Sequence, residues 1–365
     1  MIIKDLTNYL ETIAPLSYQE SYDNCGLLVG DPSWEITNVL VSLDITPEVV
    51  AEAVAKGCNV VVAHHPVIFK GLKKINGKNY IEKTVISAIK NDIALYAIHT
   101  NLDNVADGVN FKIAETLGLK NIKVLAPKEE QLMKLTVFVP KEYSGQMLDA
   151  LYAAGAGEIG NYSNCSFRTE GKGTFKPNEK ATPWVGTPGR YEQVEENRIE
   201  VIFPVFLKSK VLAGMRAGHT YEEISYFLEL LQNQNQFVGS GAVGVLDEPM
   251  ATQDFLAHLK DKMKAQVIRH TEFHTSEIKT VAVCGGVGSF LLGAAKQAGA
   301  DIFVTADYKY HEFFDAEKQI IIADIGHFES EQYTKDLLVE KISKKFTNFA
   351  TYLSEIDTNP IKYYY

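Results

Sequence analysis

Five side chains that bind divalent metals well occur in three short stretches of the chain. His64 and His65 are adjacent, Asp103 closes the run HTNLD, and His327 and Glu331 are four residues apart. Imidazoles and carboxylates without thiolates suit zinc, iron or manganese better than calcium or magnesium. The sequence therefore predicts one metal centre built from distant parts of the chain, with two divalent ions and zinc as the favoured metal.

The adjacent histidines limit where such a centre can lie. Neighbouring residues of a strand point to opposite faces, so His64 and His65 can serve one site only where a strand ends and the chain turns. Pro66 favours such an ending, because its ring fixes φ and it has no N–H to donate. At that corner the two imidazoles would address two different ions. The alternative is that the pair only closes a strand.

His327 and Glu331 follow the apolar run QIIIADIG, after which the pattern predicts a helix. Residues four apart share one helix face, which would put the imidazole beside the carboxylate on the first turn. The helix dipole also favours a carboxylate there. Glu331 is therefore either a metal ligand or only a partner of the helix N-terminus.

Asp103 and His99 bracket a polar strand ending. Asp103 could bridge two ions, as carboxylates do in hydrolytic two-metal sites with ions about 3.5–4 Å apart. His99 has three roles open to it: a ligand, an orienting partner of a ligand, or a buried histidine at the strand end. Zinc lowers the pKa of bound water to about 7, so the implied chemistry is hydrolysis of a phosphate ester, an amide or an amidine.

Two further groups occur in the second half of the chain. Asp307 and His311 follow the strand-like run DIFVTA and are either acid–base groups or structural residues. A glycine-rich turn after Cys284 either cradles a phosphate with its amides or only packs tightly. The residues of this turn that would contact a phosphate are Gly285, Gly286, Gly288 and Ser289.

The two ends of the chain repeat one pattern of elements. Residues 39–65 read as strand, helix, strand and then the two histidines, and residues 281–307 follow the same plan at an offset of 242 residues. Each copy continues with a helix and a third strand, which ends in a histidine and a carboxylate four residues apart. Apolar strands joined by helices imply a sheet buried on both faces, with chemistry at the carboxyl ends of the strands.

The middle of the chain has a different pattern. Its apolar runs predict the order β-α-β-β-α-β, which is typical of a ferredoxin-like module. We therefore predict an α/β fold in which a duplicated α/β core is interrupted by a ferredoxin-like α+β insert. The expected bounds are residues 1–126 for the first half of the core, 127–246 for the insert and 247–365 for the second half.

The bulk composition limits the partners. The 365-residue chain carries a formal net charge of −10, which disfavours binding to nucleic acids or membrane surfaces, since both attract basic proteins. Its 4 cysteines form no C-x-x-C pair, and no apolar run approaches the ~18 residues of a membrane span. The N-terminal stretch lacks a cationic region ahead of an apolar one. These features predict a cytoplasmic protein with reduced thiols.

At the residues discussed above, the chain resembles the Nif-three-like proteins, which are widely known as GTP cyclohydrolase I type 2 homologues. The resemblance extends over essentially the full length. Its motifs read Tyr22-Asp23-Asn24, Ala63-His64-His65-Pro66, His99-Thr100-Asn101-Leu102-Asp103, Gly285-Gly286-Val287-Gly288-Ser289, Thr305-Ala306-Asp307 with His311, Gly326-His327 and Ser330-Glu331. Tyr22 stands where the family commonly has tryptophan, and Val287 interrupts the glycine-rich turn.

The resemblance implies a dinuclear metal centre, with Asp307 and His311 in its pocket. The implied ligands are His64, His65, Asp103, His327 and Glu331. It further implies a homohexameric ring with an internal cavity, and an insert similar to the nitrogen-regulatory PII and CutA proteins. The implied activity is opening of the guanine ring of GTP, with phosphate-ester hydrolysis as the competing activity. A non-enzymatic ring that binds metal or nucleotide, as a regulator or scaffold, is the alternative.

Overall fold

The structure is a computed structural model, and it describes residues 1–364 of the chain. These residues form two compact units. One runs from Met1 to Pro127 and continues from Gln236 onward, and the other is Lys128–Asn235. Residues 236–246, which the sequence analysis assigned to the insert, therefore lie in the first unit. They belong to a long strand, Asn235–Ala251, that pairs with a core strand through Ala242 and Val283.

The described residues form both strands and α-helices. In chain order the strands are β1 (Gly26–Val29), β2 (Val39–Ser42), β3 (Val60–Ala63), β4 (Ala94–Ala97), β5 (Lys120–Lys128), β6 (Leu132–Pro140), β7 (Phe167–Phe175), β8 (Glu192–Pro204), β9 (Tyr226–Leu231), β10 (Asn235–Ala251), β11 (Arg269–His270), β12 (Glu277–Val287), β13 (Ile302–Ala306), β14 (Ile321–Asp324) and β15 (Thr351–Leu353). The helices are α1 (Ile3–Ile13), α2 (Pro47–Ala55), α3 (Tyr80–Lys90), α4 (Thr100–Asp103), α5 (Val109–Thr116), α6 (Ser144–Ala153), α7 (Lys208–Gly218), α8 (Thr252–Lys262), α9 (Leu292–Gln297), α10 (His327–Glu331) and α11 (Thr334–Lys345).

The first unit contains two sheets. One has the order β1-β4-β3-β2-β15, in which all strands except β1 are parallel to their neighbours. The other has the order β11-β14-β13-β12-β10-β5, in which β12, β13 and β14 are parallel, β10 is antiparallel to β12, and β11 is antiparallel to β14. Each sheet thus has a set of parallel strands whose carboxyl ends lie at one edge.

The predicted repeat is present in the pairing of these parallel strands. Val41 pairs with Val62 in the first sheet, and Val283 pairs with Val304 in the second. Val283 lies 242 residues after Val41, and Val304 lies 242 residues after Val62. In the first copy, the helix α2 begins with the Thr46 side chain accepting from the amide of Val49 and with Pro47 at the first helical position.

Both sheets are covered on both faces, which explains their unbroken apolar strands. One face of each sheet contributes alternate residues, such as Val41 and Val62 or Val283 and Val304, to a single shared core. The outer face of the first sheet packs under α2 and α3, and that of the second sheet packs under α9. Within residues 1–364, no helix has the length and apolar character needed to span a bilayer.

The second unit is built on one antiparallel sheet. Its elements follow the predicted order β6, α6, β7, β8, α7, β9, and its strands lie in the order β7-β8-β6-β9. Alternate residues of the strands, among them Leu135, Val137 and Ile199, pack with Met147 of α6 and Val211 of α7 in a core of its own. A ferredoxin-like classification of this unit stays a prediction.

Candidate metal centre

The centre begins where β3 ends. The amide of His65 donates to the carbonyl of Leu43 at 2.9 Å. This hydrogen bond extends the pairing of β2 and β3 just past their ends, and Pro66 then turns the chain. His64 is fully buried, whereas one fifth of the His65 side chain is exposed. The strand ending predicted for this dipeptide therefore brings both imidazoles to the carboxyl edge of the first sheet.

The ring of His64 is fixed by a backbone carbonyl. Its Nδ1 donates to the oxygen of Ile98 at 2.9 Å, because a carbonyl can only accept. Its Nε2 consequently points to the interior, 3.7 Å from Asp103 Oδ1 and 3.9 Å from Glu331 Oε1. Neither distance is a hydrogen bond, so this nitrogen is held in position without a partner.

Two carboxylates orient the imidazoles of His65 and His327. His65 Nδ1 donates to Asp44 Oδ1 at 2.7 Å, and His327 Nδ1 donates to Asp307 Oδ2 at 2.7 Å. The Nε2 atoms of the two histidines then lie 3.4 Å apart. Metal-ligating histidines usually have their second nitrogen held in this way, which fixes both tautomer and ring orientation.

Glu331 lies at the middle of the arrangement. Its Oε2 is 2.9 Å from His65 Nε2 and 3.1 Å from His327 Nε2, and its Oε1 faces His64. Glu331 and His327 are the two ends of the short helix α10, as the four-residue spacing predicted. The carboxylate between the histidines is thus Glu331, while Asp103 lies on the His64 side.

Three overlapping groups of ligand atoms result, each with all atoms within 4.8 Å of one another. They are His64, His65 and His99; His65, His327 and Glu331; and His64, Asp103 and Glu331. Each of these clusters could bind a metal.

The unpaired atoms of the site fit a metal ion. His64 Nε2 and Asp103 Oδ1 are both buried and have no hydrogen-bond partner. Buried polar atoms are nearly always satisfied, and an unsatisfied one costs free energy. An imidazole nitrogen and a carboxylate oxygen that converge in this way form a donor set suited to zinc, iron or manganese.

The charges of the site strongly affect one another. Burial and the charge of Glu331 raise the pKa of Asp103 to about 7. Burial opposes protonation of His65 and His327, but the carboxylates around them outweigh it and raise their pKa values to about 10 and about 11. Burial likewise opposes the charge of Glu331, and hydrogen bonds from the histidines nevertheless hold its pKa low. Without a metal, two imidazolium groups therefore supply the positive charge.

Zinc binding is expected to strengthen with pH, because the ion must displace these protons. The raised pKa values of His65 and His327 stabilise the metal-free fold fully below about pH 6.5, and this contribution disappears as pH rises through 10 to 11. Well above the Asp103 pKa of about 7 and still below about pH 9, binding should release about two protons, and well below pH 7 it should release nearly three. Calorimetry of zinc binding in buffers of different ionisation enthalpy measures that number. Binding without proton release would contradict the charge assignment.

His99 lies beside the two adjacent histidines. Its Nδ1 donates to Asp23 Oδ1 at 2.9 Å, and its ring centre is 5.2 Å from that of His64 and 5.4 Å from that of His65. The other oxygen of Asp23 accepts from the amide and hydroxyl of Thr100. His99 is therefore oriented like the other histidines of the centre, with Nε2 as its remaining nitrogen.

The two residues predicted as acid–base groups occupy different surroundings. Asp307 lies at the centre through its hydrogen bond to His327, and this bond lowers the pKa of its carboxyl. His311 is exposed on the turn Tyr310–Ala316, where its ring packs edge-on against Tyr310. The structure thus brings Asp307, but not His311, into contact with one of the five predicted ligands.

The glycine-rich turn packs directly against Glu331. A Cβ on Gly286, which has φ of +59°, would lie 2.5 Å from Glu331 Oε1, and one on Gly288 would lie 2.3 Å from Thr305 Oγ1. The amides of Gly285 and Gly286 donate to the side chains of Asn110 and Ser330. These contacts favour the tight-packing interpretation of the turn, with Ser289 beginning a short 3-10 turn beyond it.

The sequence analysis assigned no supporting role to three residues that hold the side chains or backbone of the centre. Asp44 holds His65, and a strand-end signal existed, since it follows β2 just as the histidines follow β3. Asn110 donates to the carbonyl of Asp103 at 3.0 Å, and Ser330 donates to the carbonyl of His327 at 2.7 Å. Neither Asn110 nor Ser330 follows a strand end; Ser330 appeared only within the motif Ser330-Glu331, and Asn110 also accepts from the amide of Gly285, 175 residues away.

The fold and the site together define a class: α/β proteins with two sheets around one core and a histidine–carboxylate centre at the carboxyl ends of their parallel strands. Residues 1–360 match the family described as Duf34/NIF3 (NGG1p interacting factor 3). The chain belongs to this family.

Relatives of known sequence and structure agree with that assignment. A Bacillus subtilis protein named GTP cyclohydrolase 1 type 2 homolog is 37% identical to this chain, and the alignment covers 99% of this chain and 98% of the Bacillus subtilis protein. A protein of the same name from Halalkalibacterium halodurans is 41% identical, covering 92% of this chain and 90% of its own. The crystal structure of a Bacillus cereus protein related to NIF3 is 38% identical and superposes with a TM-score of 0.87, covering 100% of this chain and 99% of its own.

Proposed function

We propose that the chain is a dinuclear metal protein and a metal-dependent hydrolase whose substrate is a nucleotide or another phosphate ester. The observation that carries this proposal is the overlap of the three ligand groups, in which His64, His65 and Glu331 each occur twice. One ion would be held by His64, Asp103 and Glu331, and a second by His65, His327 and Glu331. The name shared by the relatives, GTP cyclohydrolase 1 type 2 homolog, makes GTP the first substrate to test.

Zinc is the favoured metal, with iron or manganese as alternatives, since the donors are imidazoles and carboxylates. Such ions would supply Lewis-acid polarisation of a substrate oxygen and activation of water. The chain itself would keep the imidazoles oriented through Asp44 and Asp307. His99, whose Nδ1 is committed to Asp23, would use its Nε2 to accept or return a proton near the reacting atoms.

Turnover is expected to require His65. With zinc, manganese or iron supplied, the wild-type protein should hydrolyse GTP or a phosphodiester such as bis(p-nitrophenyl) phosphate. His65→Ala should lower kcat/KM at least about 100-fold, because metal activation contributes several kcal/mol to a hydrolytic transition state. Initial rates of phosphate, formate or nitrophenol release measure the effect, with circular dichroism to check the fold.

The matched control is His274→Ala, which removes an exposed histidine outside the three ligand groups. It should leave the rate unchanged. If wild-type protein loaded with each metal turned over neither substrate, the hydrolase proposal would be wrong, and a binding function would remain.

A cavity in the second unit supports that second candidate function, a metal- or nucleotide-binding regulator or scaffold. It encloses about 820 Å³ beside the sheet of β6–β9, and its lining includes the aromatic side chains of Phe138, Phe167, Trp184 and Phe227. This function predicts ligand affinity without turnover, and loss of that affinity on deletion of residues 128–235. We also propose that the protein forms a homohexamer and that its insert is PII-like, as the family resemblance implies. Mass measurement by light scattering would test the hexamer, and an experimental structure would test the insert.

A further inference from the structure

The last described segment of the chain, residues 354–364, runs from β15 to the metal centre; we call it the tail. It is anchored at its start by Ser354, whose amide donates to the carbonyl of Val41 at 2.8 Å and whose hydroxyl donates to Glu52 Oε2 at 2.5 Å. Ile356 then packs against the apolar cluster on the outer face of the first sheet. The tail is therefore docked before it reaches the site.

Thr358 of the tail connects to a predicted metal ligand through one carboxylate. Its hydroxyl donates to Asp44 Oδ2 at 2.5 Å, and Asp44 Oδ1 accepts from His65 Nδ1 at 2.7 Å. About one third of the Asp44 side chain is exposed. Without the hydroxyl, one carboxylate oxygen would face water and the group would be freer to rotate, so Thr358 restricts the orientation of His65.

The tail also contacts the half of the centre that comes from the end of the chain. The side-chain amide of Asn359 donates to Glu329 Oε1 at 3.2 Å, on the helix that carries His327 and Glu331. The hydroxyl of Tyr363 lies 3.4 Å from the position of a Cβ on Gly326, the residue before His327. The tail thus touches supporting residues of both halves of the site, while the five predicted ligands lie outside the tail.

We propose that Thr358 is a positioning residue of the metal centre, and that docking of the tail and occupancy of the centre by divalent metal strengthen each other. The inference rests on the metal centre proposed above. Residues that hold a ligand's second nitrogen typically change metal affinity 10- to 100-fold when they are removed. Coupling of two binding events is reciprocal, so a metal that gains affinity from the docked tail must also stabilise the docking.

The affinity arm of the test compares Thr358→Val with Thr358→Ser in the full-length protein. Valine keeps the shape but removes the hydroxyl, whereas serine keeps the hydroxyl. Zinc affinity, measured by competition with a chelating dye, should fall about tenfold in Thr358→Val and return to near wild type in Thr358→Ser. The visible absorption spectrum of the cobalt-substituted protein should change only in the valine variant, because it reports the ligand field at His65.

The docking arm measures hydrogen exchange in residues 354–364 with and without zinc. Wild-type protein should show slower exchange in the tail when zinc is bound, and Thr358→Val should lose most of that difference. Ser354→Ala is the matched control, since it weakens the tail anchor at Glu52 without touching Asp44. It should speed exchange in the tail and, through the coupling, lower zinc affinity less than Thr358→Val does. The spectrum of the cobalt-saturated protein should stay as in wild type, because the hydrogen bond of Thr358 to Asp44 is intact.

The outcomes separate this inference from the proposed function. If wild-type protein binds neither zinc nor cobalt, the metal centre itself is wrong. If wild type binds zinc but Thr358→Val has the same affinity and cobalt spectrum, and tail exchange is insensitive to zinc, the coupling is wrong and the centre stands. Equal effects of Ser354→Ala and Thr358→Val on the cobalt spectrum would overturn the positioning role of Thr358, because they would trace the change to tail docking as a whole and not to the hydrogen bond of Thr358 to Asp44.

Discussion

Glu331→Gln is expected to abolish tight zinc binding, with the largest loss of affinity of any single side-chain change at the centre. Glu331 belongs to two of the three ligand groups and lies between His65 and His327. Glutamine has nearly the same shape but carries no charge, so both proposed ions lose a charged donor. The loss should exceed about 100-fold, the upper value for removing only an outer partner of a ligand.

The Glu331→Gln substitution should also destabilise the metal-free protein. Its two imidazolium groups would lose their common carboxylate, and breaking a buried ion pair costs about 3–5 kcal/mol. Since Asp44 and Asp307 remain as partners, we expect a loss near the lower value, about 3 kcal/mol. Chelator competition measures the affinity, and urea unfolding of the metal-free protein measures the stability.

Glu340→Gln provides the control, since it removes an exposed carboxylate from α11 with the same change of charge. It should alter neither quantity measurably. A Glu331→Gln protein that kept wild-type zinc affinity would show that the carboxylate between the histidines is not a ligand, and the dinuclear arrangement would then have to be abandoned.

Local sequence spacing was enough to predict the elements that carry the centre. The repeat at 242 residues predicted buried apolar strands in both halves, and the structure pairs these strands in parallel, since buried parallel strands must be apolar along their whole length. Pro66 marked the turn after β3, and the four-residue spacing of His327 and Glu331 marked a helix face. Each of these signals is contained within one short segment.

Contacts between distant segments were beyond such reasoning. Thr358 reaches Asp44 across 314 residues, and Asn110 reaches Gly285 across 175. No periodicity encodes such pairs, because each depends on how two loops meet after folding. Even His311, four residues beyond Asp307, is exposed and packs against Tyr310, since the intervening chain turns away as a short 3-10 segment.

Gly286→Ala should damage the centre although it removes no metal-binding atom. Gly286 has φ of +59°, a conformation that costs an L-residue roughly 1–2 kcal/mol. An added Cβ would lie 2.5 Å from Glu331 Oε1 and 3.3 Å from the ring of His327. Glu331 would have to move away from the histidines, so we expect zinc affinity to fall by about 10- to 100-fold, as for loss of an orienting contact.

Gly293→Ala separates this steric effect from the general effect of replacing glycine. Gly293 lies in α9, and an added Cβ there would meet nothing within 4 Å. Alanine at an unobstructed helical position stabilises by roughly 0.5–1 kcal/mol, so this variant should melt slightly higher and bind zinc as wild type does. If Gly286→Ala also bound zinc normally, Glu331 Oε1 could not lie where the turn confines it. The tight-packing interpretation would then fail, and a phosphate-binding role for the turn would regain support.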